Sequence, residues 1–383
     1  MNAIHPIATP GVTTQREARL QSLLADIRAR REEFQTLRHI PHDIVEQFVG
    51  LGLYRAFVAR RFGGDEITPM DFLDLIERIS VADGSAGWVA SFGCASTYLA
   101  SLPASTLATL YADGPDVIFA GGIYPPQPVR RTPAGFLVSG RWGWLSGCMS
   151  ASVVGGGIAE TDSSTQGLPR LAVMPRASVT IDPVWDSIGL RGTGSHDMIA
   201  DNVLVPEEWT FVRGGPPSID IAITRYPAIA IAAQVLAVVG LGVARAALDE
   251  VAAIAGSTVS ITGAPSLASR PHVQSEIAKA EASLRAARAW FYDITADVWD
   301  TVQRGDPASP EQTNLLRLAA SHAARTGADV TRAAFIACGT TGIHAGHPLG
   351  RYLQDAAVVA QHAFLSEGTY QTAGQQILNP RRP

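Results

Sequence analysis

The sequence predicts an α+β, mainly α, protein in three zones: an N-terminal helical domain (1–115), a central antiparallel β-sandwich or barrel domain (116–215) and a C-terminal four-helix bundle (216–383). Three observations predict it. Apolar residues recur three and four apart as far as about Gly114. The pattern then changes, between Asp116 and Arg213, to short β-rich runs broken by Gly, Pro, Asp and Ser. Long helical segments return after Asp220. At 383 residues, 46% hydrophobic and 17% charged, the chain has the length for two to three domains and the apolar content for a large core, which excludes a disordered chain.

In the first zone ARLQSLLADIRARREEF is amphipathic, and IPHDIVEQFVGLGLY carries Pro41 near a helix start and Gly52 near its end. Thr68 or Asp71 can cap the helix MDFLDLIERISVAD, and residues 85–102 read as one buried helix. In the second zone VIFAGG, GFLVSGRWGWLSG, SVVGGGIA, LPRLAVMP, SVTIDPVW and MIADNVLVP are spaced as strands of an antiparallel domain. In the third, AIAIAAQVLAVVGLGVARAALDEVAAIA, VQSEIAKAEASLRAARAWFYDITADVWDTVQ, PEQTNLLRLAASHAARTGADVTRAAFIAC and GRYLQDAAVVAQHAFLS have bundle length. Residues 228–244 are the one membrane candidate. Gln234 interrupts them, they sit at the short limit for a span, and they run on into an amphipathic stretch, so a helix buried within a bundle is expected and no membrane partner.

A net charge of −5 gives no basic field for nucleic acid. Cys94, Cys148 and Cys338 are odd in number and far apart, which argues against a disulfide framework or a zinc site. With no secretory signal between Met1 and Arg16, a cytoplasmic protein is expected. GGGIAE and GLRGTGS are glycine-rich but neither makes GxGxxG between a strand and a helix, and the one lysine, Lys279, lies in a helical pattern rather than a P-loop. His344 and His347 lack a third ligand, so no metal site is expected.

Four segments, in order, carry a family resemblance: ERISVADGSAGWVAS (77–91), SGRWGWLSG (139–147), IGLRGTGSHDMIADNVLVPEE (188–208) and HPLGRYLQDAAVVAQH (347–362). Together they resemble the acyl-CoA dehydrogenase fold and, within it, the flavin-dependent monooxygenases of two-component systems, such as the oxygenase components of 4-hydroxyphenylacetate 3-monooxygenase-like hydroxylases. The resemblance implies reduced FMN or FAD supplied by a separate flavin reductase, O2 as co-substrate, and a C4a-hydroperoxyflavin that oxygenates a small aromatic or heteroatom-bearing substrate. It also implies a homotetramer. The chain shows no NAD(P)H-binding motif, which fits delegation of flavin reduction to a partner.

The alternative is an acyl-CoA dehydrogenase or oxidase with bound FAD, which needs a carboxylate to take an α-proton. Glu367-Gly368-Thr369 is similar to the dehydrogenases' EGT motif but lies 12 residues after Asp355 where that pattern has 8, and the other dehydrogenase position matches Ala232. His362 follows Asp355 by seven, the monooxygenase spacing. By resemblance His362 is a base acting on the substrate, and Ser146 sits near flavin N5. Trp88, Leu145 and Trp144 lie beside the flavin. Trp142 and Trp144 alternate about Gly143 and so are expected on one face. Gly122, Ile123 and Tyr124 in GGIYPP are expected at the flavin pyrimidine, and Thr340 and Thr341 in CGTTG at its phosphate or ribityl chain. Ser96 stands where phenol hydroxylases of this branch carry a histidine, and with Tyr98 it is assigned to the substrate. Ser260 stands where dehydrogenases carry a phosphate-binding arginine, which favours FMN. Ser195 or Asp197 is expected to cap the GLRGTGS turn.

Overall fold

The computed structural model describes residues 10–160, 170–256 and 265–379; Ser260 lies outside them. Helices α1 (Pro10–Ala29), α2 (Arg31–Leu37), α3 (His42–Gly50), α4 (Pro69–Ala82), α5 (Gly84–Ser91), α6 (Ser96–Leu99) and α7 (Ala104–Leu110) precede the sheet. Thr68 caps α4, its hydroxyl accepting from Asp71 N at 3.1 Å. Residues 85–102 are not one helix. A 3₁₀ turn, Phe92–Ala95, separates α5 from α6. Its backbone at Gly93 lies against the Leu53 carbonyl, where any Cβ would collide, and the tighter turn accommodates that approach. Ser96 and Tyr98 therefore stand on a different short helix from Trp88.

The sheet comprises β1 (Phe119–Thr132), β2 (Gly135–Leu145), β3 (Val153–Glu160), β4 (Arg170–Pro175), β5 (Thr180–Asp182), β6 (His196–Val205) and β7 (Thr210–Val212), in the order β5-β6-β2-β1-β3-β4-β7. Its pairings are antiparallel except that of β1 with β3, which is parallel, and β1 breaks register between Gly122 and Gln127. Trp142, fully buried, fills the centre with Phe136, Val154 and Met198. Its ring lies 2.8 Å from where a Cβ of Gly156 would stand, and its Nε1 donates to Gly157 O at 2.8 Å. The glycine run of SVVGGGIA thus makes room for a tryptophan rather than a phosphate.

After the sheet come α8 (Ala222–Arg225), α9 (Ala228–Ala255), α10 (Pro271–Gln303), α11 (Pro310–Cys338), α12 (Pro348–Ala360) and α13 (Glu367–Leu378). The apolar α9 is enclosed by α4, α5, α10, α11 and α12, and 83% of its most apolar window is buried inside the protein. Gln234, wholly buried on α9, accepts from Tyr226 OH at 2.9 Å and donates to Thr295 Oγ1 at 2.7 Å, so the one polar break in the stretch is satisfied internally. A single apolar core runs from Phe34, Phe48 and Phe72 through α9 to Phe291 and Leu316.

The sheet is tied to these helices at the turn preceding β6. Leu190, in left-handed conformation (φ 51°), donates its N–H to Asp355 Oδ1 of α12 at 2.6 Å, and Gly192 N donates to Ser85 Oγ of α5 at 3.1 Å. Asp83 caps α5 through Ala86 N at 2.9 Å. Asp355 is 1% exposed and its Oδ2 has no partner among the described residues. Burial first, then the neighbouring Asp83 carboxylate, push Asp355 up to about 7. Because the folded chain holds this proton more tightly than the unfolded one, Asp355 subtracts stability as pH rises from about 4 through about 7. Asp355→Asn keeps an acceptor for Leu190 N without the charge. Its stability relative to the parent should rise by ~1–3 kcal/mol between pH 5 and pH 8 in urea unfolding; a pH-independent difference would refute the assignment.

Candidate active site

Trp88 on α5, Ser146 just past β2, and Thr193 and Ser195 in the turn before β6 meet in one hydrogen-bonded row. Trp88 Nε1 donates to Ser146 Oγ at 3.0 Å. Ser146 and Ser195 hydroxyls lie 2.7 Å apart, as do those of Ser195 and Thr193. All four residues are buried. Three hydroxyl hydrogens serve two links, so one is left over from the row. Gly147 N donates to Thr193 O at 2.9 Å and Cys148 Sγ donates to Gly194 O at 3.3 Å, which fixes the strand end against the turn.

His362 follows α12 and heads the 3₁₀ turn Ala363–Leu365. Its ring meets Trp88 edge-on at 5.8 Å and Phe364 at 5.1 Å. The backbone N–H of Phe364 donates to His362 Nδ1 at 3.2 Å. An N–H can only donate, so Nδ1 is the unprotonated nitrogen of the neutral ring and Nε2 carries the hydrogen. Burial, and after it the Arg213 charge, hold His362 down at about 4. The imidazole is thus neutral across physiological pH and presents an N–H where the spacing argument expects a base.

Arg213, one residue past β7, lies over the Tyr98 ring at 5.0 Å and the Phe364 ring at 4.9 Å. Tyr98 OH is 3.6 Å from Cys94 Sγ. Burial raises the Tyr98 phenol well above its usual value, with Arg213 pulling the other way. Among the described residues Ser96 Oγ is buried without a partner.

Not every expected residue joins this group. Trp142 and Trp144 do not share a face: Trp142 is buried, whereas Trp144 is 72% exposed. The ladder to β6 shifts register between Trp142 and Leu145, and Trp144 has φ 67°, which breaks the alternation. Trp144 meets Trp185 at 5.4 Å. Leu145 is fully buried in the sheet core, Gly122 is buried and Ile123 half-buried, while Tyr124 is 59% exposed. Thr340 is exposed and Thr341 half-buried in the turn after α11, and no hydrogen bond or ring contact among the described residues joins them to Trp88, Ser146 or His362. Asp197 does not cap its turn; it pairs with Arg141 at 2.7 Å. Glu367 points away, its side chain 81% exposed and 3.4 Å from Arg325.

Thr193, Phe364 and Arg213, to which the sequence assigns no role, and Ser195, which it offers as a turn cap, join the group through contacts to Ser146, His362 and Tyr98. Serine and threonine flanking Gly194 were the available signal for Ser195 and Thr193, and the position two after His362 for Phe364. The buried row of hydroxyls, with one hydrogen more than its own links use, suits a heteroaromatic cofactor that accepts hydrogen bonds.

The row lies where the helical regions and the sheet meet, and Glu367, the carboxylate that the dehydrogenase alternative requires, takes no part in it. The family described as acyl-CoA dehydrogenase, C-terminal domain, matches residues 234–367. An indole-3-acetate monooxygenase of Pseudomonas putida is 53% identical over 91% of this chain and 89% of its own length. A second, from Acinetobacter baumannii, is 48% identical over 93% of this chain and 92% of its own. The crystal structure of 3-HSA hydroxylase from Rhodococcus sp. RHA1 superposes with a TM-score of 0.88 at 25% identity, covering 95% of this chain and 96% of the other. The chain belongs to the flavin-dependent monooxygenases built on the acyl-CoA dehydrogenase fold.

Ser146→Ala leaves the buried Trp88 Nε1 without an acceptor and should cost ~1–3 kcal/mol in urea unfolding. Ser195→Ala keeps the Trp88–Ser146 bond and should cost less. Equal losses, or none from Ser146→Ala, would show that this hydrogen bond does not hold the row.

Proposed function

We propose that this chain is the oxygenase component of a two-component system that oxygenates indole-3-acetate or a closely related indolyl carboxylic acid. Reduced FMN or FAD, when bound, supplies the electrons that activate O2 for transfer of one oxygen atom; a separate flavin reductase supplies the flavin. The observation that carries the reading is the aromatic row Trp88–His362–Phe364 beside the Ser146–Ser195 hydroxyls. It offers aromatic edges and faces for an indole to pack against, and the two relatives at 53% and 48% identity are both named for an indolyl acid.

In this reading Trp88 and Phe364 orient the substrate ring, and buried Ser146 gives a hydrogen bond at the reacting end. His362 holds a proton at Nε2 for a developing negative charge, as a neutral donor rather than as the base expected from spacing. The dehydrogenase alternative has no support at Glu367, which is exposed and paired with Arg325. Exposed Ile336 and Ile343, either side of the turn after α11, favour burial against further copies of the chain, in keeping with a homotetramer. We place the enzyme in the cytoplasm, where reduced flavin is made. A light-scattering mass of one subunit at micromolar concentration would defeat the tetramer.

The direct test supplies reductase, NADH, flavin and indole-3-acetate under ¹⁸O2 and looks by mass spectrometry for a product with one labelled oxygen. Oxygenation of other aromatics with indole-3-acetate left intact would overturn the substrate. His362→Ala should lower product formation by about 10²-fold, whereas Glu367→Gln should change it less than about 2-fold, a small surface effect. The reverse result would restore the dehydrogenase alternative. Because His362 is protonated only below about 4, no acid limb should be seen between pH 5 and 8. A limb near the ordinary histidine value, absent in His362→Gln, would refute the neutral-donor role.

A further inference from the structure

Arg213 stands out among the site's neighbours because no carboxylate neutralises it: among the described residues it takes part in no ion pair. Its guanidinium lies over Tyr98 from α6 and over Phe364 from the turn after α12, so two elements distant in sequence from it and from each other hold it in place. Phe364 is shared: the same ring meets Arg213 on one contact and His362 on another. The row therefore runs Arg213, Phe364, His362, Trp88, Ser146. Its inner members Trp88 and Ser146 are 7% and 6% exposed, whereas Arg213, Tyr98, Phe364 and His362 are half-buried, so the row opens at the cationic end.

A guanidinium partly removed from water, within reach of the Tyr98 hydroxyl and of two aromatic faces but of no anion, keeps N–H donors to spare and a field that favours a carboxylate. We propose that Arg213 is the specificity residue of this active site, binding the carboxylate of an aromatic acid whose ring lies toward Trp88 and Ser146. The inference rests on the substrate reading above and deepens it: the aromatic row supplies ring contacts, and Arg213 at its open end supplies the charge that an aromatic acid calls for. Stacked on Tyr98 and Phe364, the guanidinium is held ready, so little side-chain freedom is lost on binding. The same charge helps keep His362 neutral, and a bound carboxylate offsets it.

The test compares matched pairs that differ only in the acid group, indole-3-acetate against indole-3-acetamide and 1-naphthylacetate against 1-naphthylacetamide. Affinities are measured by calorimetry on the flavin-loaded protein and KM and kcat by turnover. The parent should prefer each acid over its amide. Arg213→Gln should weaken both acids about 10- to 100-fold, as expected for a lost hydrogen bond to a charged partner, while amide affinities move less than about 2-fold. The loss should fall on KM more than on kcat, and Arg213→Lys should recover part of it. Equal weakening of acids and amides would mean that Arg213 only supports Tyr98 and Phe364, and would overturn the proposal. So would a parent that prefers amides. Should the indolyl acid prove inert as a substrate while the naphthyl acid keeps its Arg213-dependent preference, the substrate reading falls and the carboxylate anchor stands.

Discussion

The site depends on how one irregular turn is held. Residues 190–195 leave the sheet's edge, and their backbone N–H groups need acceptors once they are buried between helices. Asp355 of α12 takes the Leu190 N–H, and Ser85 of α5 takes that of Gly192. These two bonds bring α5, α12 and the turn to one place. Trp88 lies one helical turn along α5 from Ser85, Thr193 and Ser195 follow Gly192 directly, and His362 follows α12 two turns after Asp355. The seven-residue spacing from Asp355 to His362 thus has a mechanical meaning. Asp355 clamps the helix to the turn, and the helix end carries the imidazole to the indole.

That clamp is electrostatically costly, because Asp355 and Asp83 are two buried carboxyls in one place and only partly hydrogen-bonded. Arg31 and Arg351 lie close enough to oppose the effect without cancelling it. The other end of the site is arranged differently. There the charge is cationic, at Arg213, and aromatic faces surround it in place of acids. Between these ends the imidazole is kept neutral by burial and by the cation, so the centre of the site is a field of fixed dipoles and hydroxyls rather than of titrating groups.

The fold was legible because its signals are local. A change of hydrophobic period marks where helices give way to strands, and the apolar α9, with Gln234 inside it, reads as a buried helix from composition alone. Trp88, Ser146 and His362 were legible through motif spacing, and the structure brings them into one hydrogen-bonded and ring-packed row. The failures share one cause. Trp144 faces outward because a register shift and a left-handed residue reverse the strand's alternation. Residues 85–102 break because of a backbone contact at Gly93 with Leu53, forty residues earlier. The sequence offers Ser195 only as an alternative to Asp197 for a turn cap and gives Arg213 no role, because each gains its meaning from partners 49 and 151 residues away. No periodicity reports a contact of that kind.

The division of the site between two sorts of element bears on how one fold serves several substrates. Trp88, Ser146 and Ser195 sit where a helix, a strand end and a clamped turn converge, all buried and mutually hydrogen-bonded, so any change there disturbs the packing of the whole junction. Tyr98, Arg213 and Phe364 come instead from a helix of four residues, a segment just past a three-residue strand, and a 3₁₀ turn, each half-buried. Substitutions in short, partly exposed elements cost little stability, so this end is free to change its chemistry while the buried, hydrogen-bonded end stays fixed. On that argument a change of charge is met at least cost at Arg213 and the half-buried segments around it, whereas a change at Trp88, Ser146 or Ser195 disturbs the junction that holds α5, α12 and the turn together.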